Sequence, residues 1–352
     1  MSDMRDMFVE TASRLFRDYC TPDLLRAAAT GSFQTQLWNA MVEAGLTKAA
    51  VAEDAGGSGA ELADALALLV PAGASSVPAP LAETLIAGFL LGEAGVVVPD
   101  APLTIAIPRP GETLRAVRKG DGWLITGAVA RVPYARFASG GVTVVAETAE
   151  GPLLALVALA DCKIAEAANL AHEPRDDVAF DEAPAQAAKL TTRQAADVYA
   201  MAAAARSAQM AGALQTVLQL SVQYALERSQ FGKPLGKFQA IQHNLATLAG
   251  QAAAATAAAD AAIVQAQHGA GSIAVASAKA RAGEAASIAC NIAHQVHGAI
   301  GFTAEHALHF STQRLWSWRD EFGNDAFWEL KLGDQAVAAG ADGLWAMLTA
   351  AA

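Results

Sequence analysis

The amino-acid sequence predicts a mainly α-helical protein with a small central β-domain, and three observations carry that expectation. Apolar residues recur at three- and four-residue spacings in the first and last parts of the 352-residue chain, as amphipathic helices require. Between about residues 101 and 187 this texture gives way to short β-branched runs separated by Gly, Pro and Asp, which read as strands. Alanine then dominates the second half; it combines the best helix propensity with a small side chain that lets helices approach, so a bundle is the natural product. The expected domains are residues 1–100, helical; 101–188, β; and 189–352, a helical bundle.

In chain order, "MFVETASRLFRDY", "FQTQLWNAMVEAG", "ADALALLVPAGA" and "LAETLIAGFLLGEAG" give the first helices, with glycines or prolines between them. The glycine-rich "EDAGGSGAE" lacks the Lys-Ser/Thr ending of a phosphate loop and follows no evident strand, so a nucleotide role is not expected there. "PLTIAIP", "TLRAVRKGDGWLITGAVARVP", "GVTVVAET" and "GPLLALVAL" supply the strands. Within them "KGDGW" reads as a tight hairpin, because Asp-Gly permits the positive φ angles such turns need. Three long helical patterns follow, beginning at "ADVYAMAAAARS", "FQAIQHNLATLAG" and "SIAVASAKARAG", and shorter ones close the chain.

Composition narrows the function. A chain with 53% hydrophobic and 17% charged residues is not disordered throughout, and a net charge of −11 argues against nucleic acid as a partner. Any anionic ligand must be held by a local cluster of cations. Cys20, Cys162 and Cys290 are few, distant and without CxxC spacing, so structural thiols are expected and neither a disulfide framework nor a metal site. The acid-bearing N-terminus has no uninterrupted apolar region of signal type, and a cytoplasmic location is expected. The most apolar stretches are broken before the ~20 residues that cross a bilayer, so no membrane span is expected.

One stretch departs from this acidic, helical background. In "LERSQFGKPLGKFQAIQ", Arg228, Lys233 and Lys237 concentrate positive charge where one long helix ends and another begins, and Gly232 and Pro234 force the reversal. From the residues alone this is either a solvated interhelical turn or an anion site. A second stretch, "QVHGAIGFTAEHALHF", places Gly298 and Gly301 after a helical run. There a glycine pair serves either as a C-cap or to admit a close backbone or a flat ligand.

Together and in this order, the two stretches resemble the acyl-CoA dehydrogenase superfamily. Arg228, Phe231, Gly232 and Gln239 match its R-x-x-F-G motif with the following F/H-Q pair, and Gln295, Gly298, Gly301, Phe302 and Glu305 match its Q-x-x-G-G-x-G-F/Y-T-x-E motif. The resemblance follows the domain order over nearly the whole chain, while motif-level agreement lies between about 205 and 325. It implies an N-terminal helical domain, a middle β-domain and a C-terminal four-helix bundle. It also implies FAD as cofactor, an acyl-CoA substrate and an electron-transfer flavoprotein as acceptor. By the same resemblance Arg228 reaches across a subunit interface to the pyrophosphate of a neighbour's FAD, a role suited to a planar, permanently charged guanidinium. Gln230, Phe231, Leu235, Phe238 and Gln239 would line that cofactor, and the stretch Gln295, Val296, His297, Gly298 and Ala299 would pass along its adenosine half. Ala299 stands where the family has its second glycine. His294 and His297 read as packed or capping groups and not as proton shuttles.

The family's reaction needs a carboxylate to take the α-proton while a hydride leaves the β-carbon for the flavin. Its usual base position falls on Phe322, in "WRDEFGND", and the alternative position on the first long helix of the bundle falls on Ala202; neither side chain accepts a proton. Glu321 is adjacent, but neighbouring side chains point in different directions. The β-domain reads "TIAIPRPGE" and "WLITGAVARV" where the family holds its own flavin ring, and it looks short. The resemblance therefore implies the base-less subunit of a heteromeric acyl-CoA dehydrogenase, of the kind acting on steroid side chains, completed by a related chain. Two other readings stand beside it: a self-sufficient homo-oligomer using Glu321 as a displaced base, and a scaffold or binding protein that has lost flavin chemistry.

Overall fold

The computed structural model describes residues 3–349, in two compact units. One holds the chain up to Leu68 with Pro78–Ala202 and Gln267–Gly271; the other holds Leu69–Val77, Ala203–Ala266 and the chain from Ser272. Apart from Leu69–Val77, the N-terminal helices and the strands thus share a unit.

In the first unit α1 (Asp3–Tyr19) buries Phe8, Ala12 and Phe16, four residues apart and so on one face. α2 (Pro22–Ala29) starts at Thr21, whose hydroxyl accepts from the Leu24 N–H, with Pro22 in the first helical turn. α3 (Thr35–Glu43) and α4 (Leu62–Ala67) follow, then α5 (Leu69–Ala74) in the second unit, then α6 (Leu81–Glu93). α6 is apolar on nearly all sides and correspondingly buried. The segment 53–61 follows a helix, as its sequence implies, and Gly57 lies so close to Val51 that a Cβ would meet its carbonyl oxygen at 2.1 Å. Gly57 thus serves packing, while Gly56 and Gly59 hold left-handed backbone, with φ 81° and 67°.

The strands are β1 (Leu103–Ala106), β2 (Arg115–Lys119), β3 (Gly122–Pro133), β4 (Gly141–Thr148), β5 (Gly151–Val157), β6 (Cys162–Ala165) and β7 (Arg175–Leu190). Their order is β1-β4-β2-β3-β7-β5, and β4 also pairs β5, so the path closes on itself around a core that includes Ile125, Val144, Leu153 and Phe180. The expected hairpin joins β2 to β3, but Lys119 pairs Gly122, so the turn residues are Gly120 and Asp121. The positive φ, 62°, falls on Gly120. This is Gly-first turn geometry, and the Asp-Gly reading was one residue out of register.

α7 (Ala195–Glu227), α8 (Gln239–Gln265) and α9 (Ile273–His297) are the three long helices expected. Between α7 and α8 lies the two-stranded hairpin of β8 (Ser229–Gln230) and β9 (Lys233–Pro234); α10 (Leu308–Asp320) and α11 (Asp325–Thr349) complete the chain. α11 is as long as α9, at 25 residues, and breaks its helical backbone at Gly340. Alanines of α8 and α9, with Met210, Leu214, Val217, Leu248, Leu315 and Trp318, form the core of this unit. Small side chains on facing helices let the backbones approach while still excluding water. The segment Gln239–Gly271 is long and apolar enough to cross a membrane by length and composition, yet its Leu248, Ala252 and Ala255 belong to that core.

Candidate functional site

The cationic stretch is built as a preset hairpin. Ser229 pairs Pro234 and Gln230 pairs Lys233, leaving Phe231 and Gly232 as a two-residue turn. Both have positive φ, 52° and 80°. Consecutive left-handed residues give a turn whose twist matches that of paired strands, and glycine carries its share without strain. The turn holds Phe231 86% exposed, and Lys233 Nζ sits 4.3 Å from the centroid of the Phe238 ring. The Leu235 N–H donates to the Arg228 carbonyl at 2.8 Å, closing the hairpin onto the end of α7.

Arg228 is exposed. Among the described residues no hydrogen bond or ion pair engages its guanidinium. Gln230, Lys237 and Gln239 are exposed as well, whereas Leu235 and Phe238 are half-buried. The structure therefore gathers Arg228, Gln230, Phe231, Leu235, Phe238 and Gln239 into one segment that offers a cation and an aromatic ring outward.

The second stretch forms the last turn of α9 and the 3-10 turn Gly298–Phe302. Gln295, Gly298 and Ala299 are exposed, while Val296 and His297 are each only 3% exposed and face their own unit. What those two offer a ligand is backbone. The His297 ring stacks on Tyr224 with centroids 4.6 Å apart, and His306 meets it edge-on at 4.7 Å. Tyr224 lies one turn before Arg228 on α7, so this stack brings the ends of the two motif-bearing helices together. Burial, and for His297 the nearby His306 and His294, pushes the basicity of His294, His297 and His306 below the ordinary histidine value. The Leu308 N–H donates to His306 Nδ1 at 3.1 Å, which requires that nitrogen unprotonated. His297 Nδ1 lies 2.7 Å from the Ala293 carbonyl. His294 and His297 are packed, as the sequence implies, and His306 joins them.

The turn between α10 and α11 carries Glu321 and Phe322. Glu321 forms an ion pair with Arg206 of α7 at 2.9 Å, with the two side chains 15% and 3% exposed. The Arg206 guanidinium also donates to Gln209 and lies 5.5 Å from the Trp318 ring centroid and 5.4 Å from that of Phe322. Phe322 has φ 54°, and its carbonyl accepts from Trp328 Nε1 at 2.9 Å. Beneath the turn, Lys279 of α9 is fully buried and donates to the carbonyls of Arg319, at 2.7 Å, and Gly323, at 2.6 Å. Burial pulls its pKa down to about 7, against the pull of the Glu321 carboxylate. Ala202 is buried on α7, one turn before Arg206. Sequence reasoning missed Arg206, Lys279 and Tyr224. A signal existed for Lys279, since Val275, Lys279, Ala282 and Ala286 share one helical face and the other three are core residues.

The cysteines carry no disulfide, and only Cys290 is fully buried; Cys20 and Cys162 are half-buried, not core thiols. Burial raises Cys162 to about 11 and Cys290 to about 12, so both stay as thiols. Among the described residues no cluster of His, Cys, Asp or Glu could hold a metal ion.

Comparison with known proteins places this architecture. Residues 2–94 match the model of the acyl-CoA dehydrogenase N-terminal domain and residues 193–319 that of the C-terminal domain. The chain is 31% identical over 313 residues to the Mycobacterium tuberculosis protein Acyl-CoA dehydrogenase IpdE2, covering 88% of this chain and 90% of that one. A solved structure, the Tcur3481-Tcur3483 steroid ACAD G363A variant, matches with a TM-score of 0.86 at 28% identity over 96% of this chain and 98% of its own. The ChsE4-ChsE5 complex from Mycobacterium tuberculosis has the same fold, with a TM-score of 0.86 at 24% identity, covering 96% of this chain and 98% of that one. By its relatives, its domain models and its fold, the chain belongs to the acyl-CoA dehydrogenase family.

Proposed function

We propose that this chain is the base-free subunit of a two-chain acyl-CoA dehydrogenase, completing an FAD site held chiefly by a related partner chain that carries the catalytic carboxylate. The complex would introduce an α,β double bond into a bulky acyl-CoA of the steroid side-chain class, with an electron-transfer flavoprotein as acceptor. The observation that carries the reading is the Arg228 side chain, exposed at the base of a hairpin whose shape is already set and, among the described residues, engaged by no hydrogen bond or ion pair.

The residues present fit such a group. A diphosphate suits an exposed guanidinium with two lysines nearby, a flat ring system suits the outward Phe231, and a Cβ placed on Gly298 would meet nothing within 4 Å. FAD, when bound, supplies the hydride acceptor. This chain's part is to bind and orient: Arg228 neutralises charge, and the Gln295–Ala299 backbone borders the cofactor. Proton abstraction falls to the partner, because Phe322 and Ala202 cannot accept a proton and Glu321 is held by Arg206. That pairing also argues against a homo-oligomer using Glu321 as its base. Support for the substrate class comes from the relatives, one named as a steroid acyl-CoA dehydrogenase.

The test is flavin retention. Purified alone, the chain is expected to hold little flavin; co-purified with a related chain bearing the catalytic carboxylate, it is expected to give a yellow complex with steroid acyl-CoA dehydrogenase activity. A lone chain that is fully flavinated and active overturns the proposal.

A further inference from the structure

We propose that Arg206 is the positioning residue that keeps this chain's own base position shut. The inference rests on the reading of the chain as base-free and adds the device that enforces it.

The usual base position packs against a single cation: the Arg206 guanidinium of α7 reaches the turn that carries Phe322. A buried guanidinium cannot be deprotonated and must be matched by an anion, because stranding one costs far more than its pairing returns. Glu321 is that anion, at 2.9 Å, and Gln209 accepts another N–H. The Phe322 and Trp318 rings stack over the same cation, a contact worth most where water is excluded.

The backbone cannot slide to change these roles. Lys279 donates to the carbonyls of Arg319 and Gly323, on either side of Glu321 and Phe322. A one-residue shift that carried Glu321 into the Phe322 position would break both bonds. The turn therefore has a fixed register, in which its one acid points at the arginine. With the Phe322 ring 5.4 Å from the guanidinium carbon, a carboxylate introduced at 322 would fall within reach of the same cation.

That reach makes a rescue experiment. Thermal unfolding of the full chain is measured for the parent protein and for E321Q, F322E and E321Q/F322E. E321Q is expected to lower the melting temperature by several degrees, since it removes the acid of a buried ion pair. Adding F322E is expected to recover at least half of that loss, because the carboxylate has only moved one position; an arginine with a merely space-filling role gives no such recovery. Additive losses in the double variant, or an E321Q chain as stable as the parent, overturn the proposal. If E321Q does not fold, E321D with and without F322E poses the same question with a shortened acid. Failed rescue would leave flavin retention by the co-purified complex untouched, so the two proposals fail separately.

Discussion

Tyr224 and His297 stack with ring centroids 4.6 Å apart and planes inclined by 24°, fastening the last turn of α7 to the last turn of α9. The stack sets the cationic hairpin beside the Gly298 turn, so its integrity bears on both halves of the candidate site.

It should also be sensitive to acid. His294, His297 and His306 all have basicity below the ordinary histidine value of 6.5, with burial as the first cause. Below pH 6.5 the unfolded chain therefore binds protons that the folded chain resists, and stability falls as pH drops. Melting temperatures taken between pH 7.5 and about 5 are expected to decline, and H297F should flatten part of that decline. A decline identical in the variant would count against the cluster.

Lys279 gives a slope of the same sign at the opposite end of the scale. Its folded pKa of about 7 lies below its ordinary 10.5, so between these values the unfolded state binds the extra proton and stability rises with pH. Urea unfolding between pH 7.5 and 9.5 should show that rise in the parent and a shallower one in K279M.

Removing Arg206 should be costly. R206M leaves the Glu321 carboxylate without its buried partner, and loss of one member of such a pair typically costs about 3–5 kcal/mol. Equilibrium urea denaturation reads the effect directly, and a loss under about 1 kcal/mol would mean that water already compensates the pair.

Arg228 predicts the reverse pattern. Among the described residues no hydrogen bond or ion pair engages its guanidinium, so R228A should change the stability of the isolated chain by no more than about 0.5 kcal/mol. In the co-purified complex the same substitution should weaken flavin retention by roughly tenfold or more, in line with the ~1.5–3 kcal/mol of a charge-assisted hydrogen bond. Measuring released flavin by fluorescence after dilution separates the two effects.

Much of this was legible in the residues. Helical periodicity gave α1, α3, α6 and the three long helices within a few residues of their ends, because each carries a face that must be buried. The hairpin from β2 to β3 was legible as a hairpin but not in register, since Gly-Asp and Asp-Gly overlap in "KGDGW" and only strand pairing decides which pair turns. The outward cation at 228 could be read because charge and breakers cluster locally. The contact of Arg206 with Glu321 could not: it joins residues 115 positions apart, and no local pattern encodes which arginine a given acid will meet. Val296 and His297 show the same limit, since a motif names a segment but leaves open which of its side chains turn inward.

The left-handed pair at Phe231 and Gly232 has a kinetic meaning beyond its geometry. A loop held by its own paired backbone loses little freedom when another surface closes over it. Association can then proceed by collision of preformed shapes, with no folding step to wait for, and the cations at its base can guide an acidic or phosphate-bearing surface toward it from a distance.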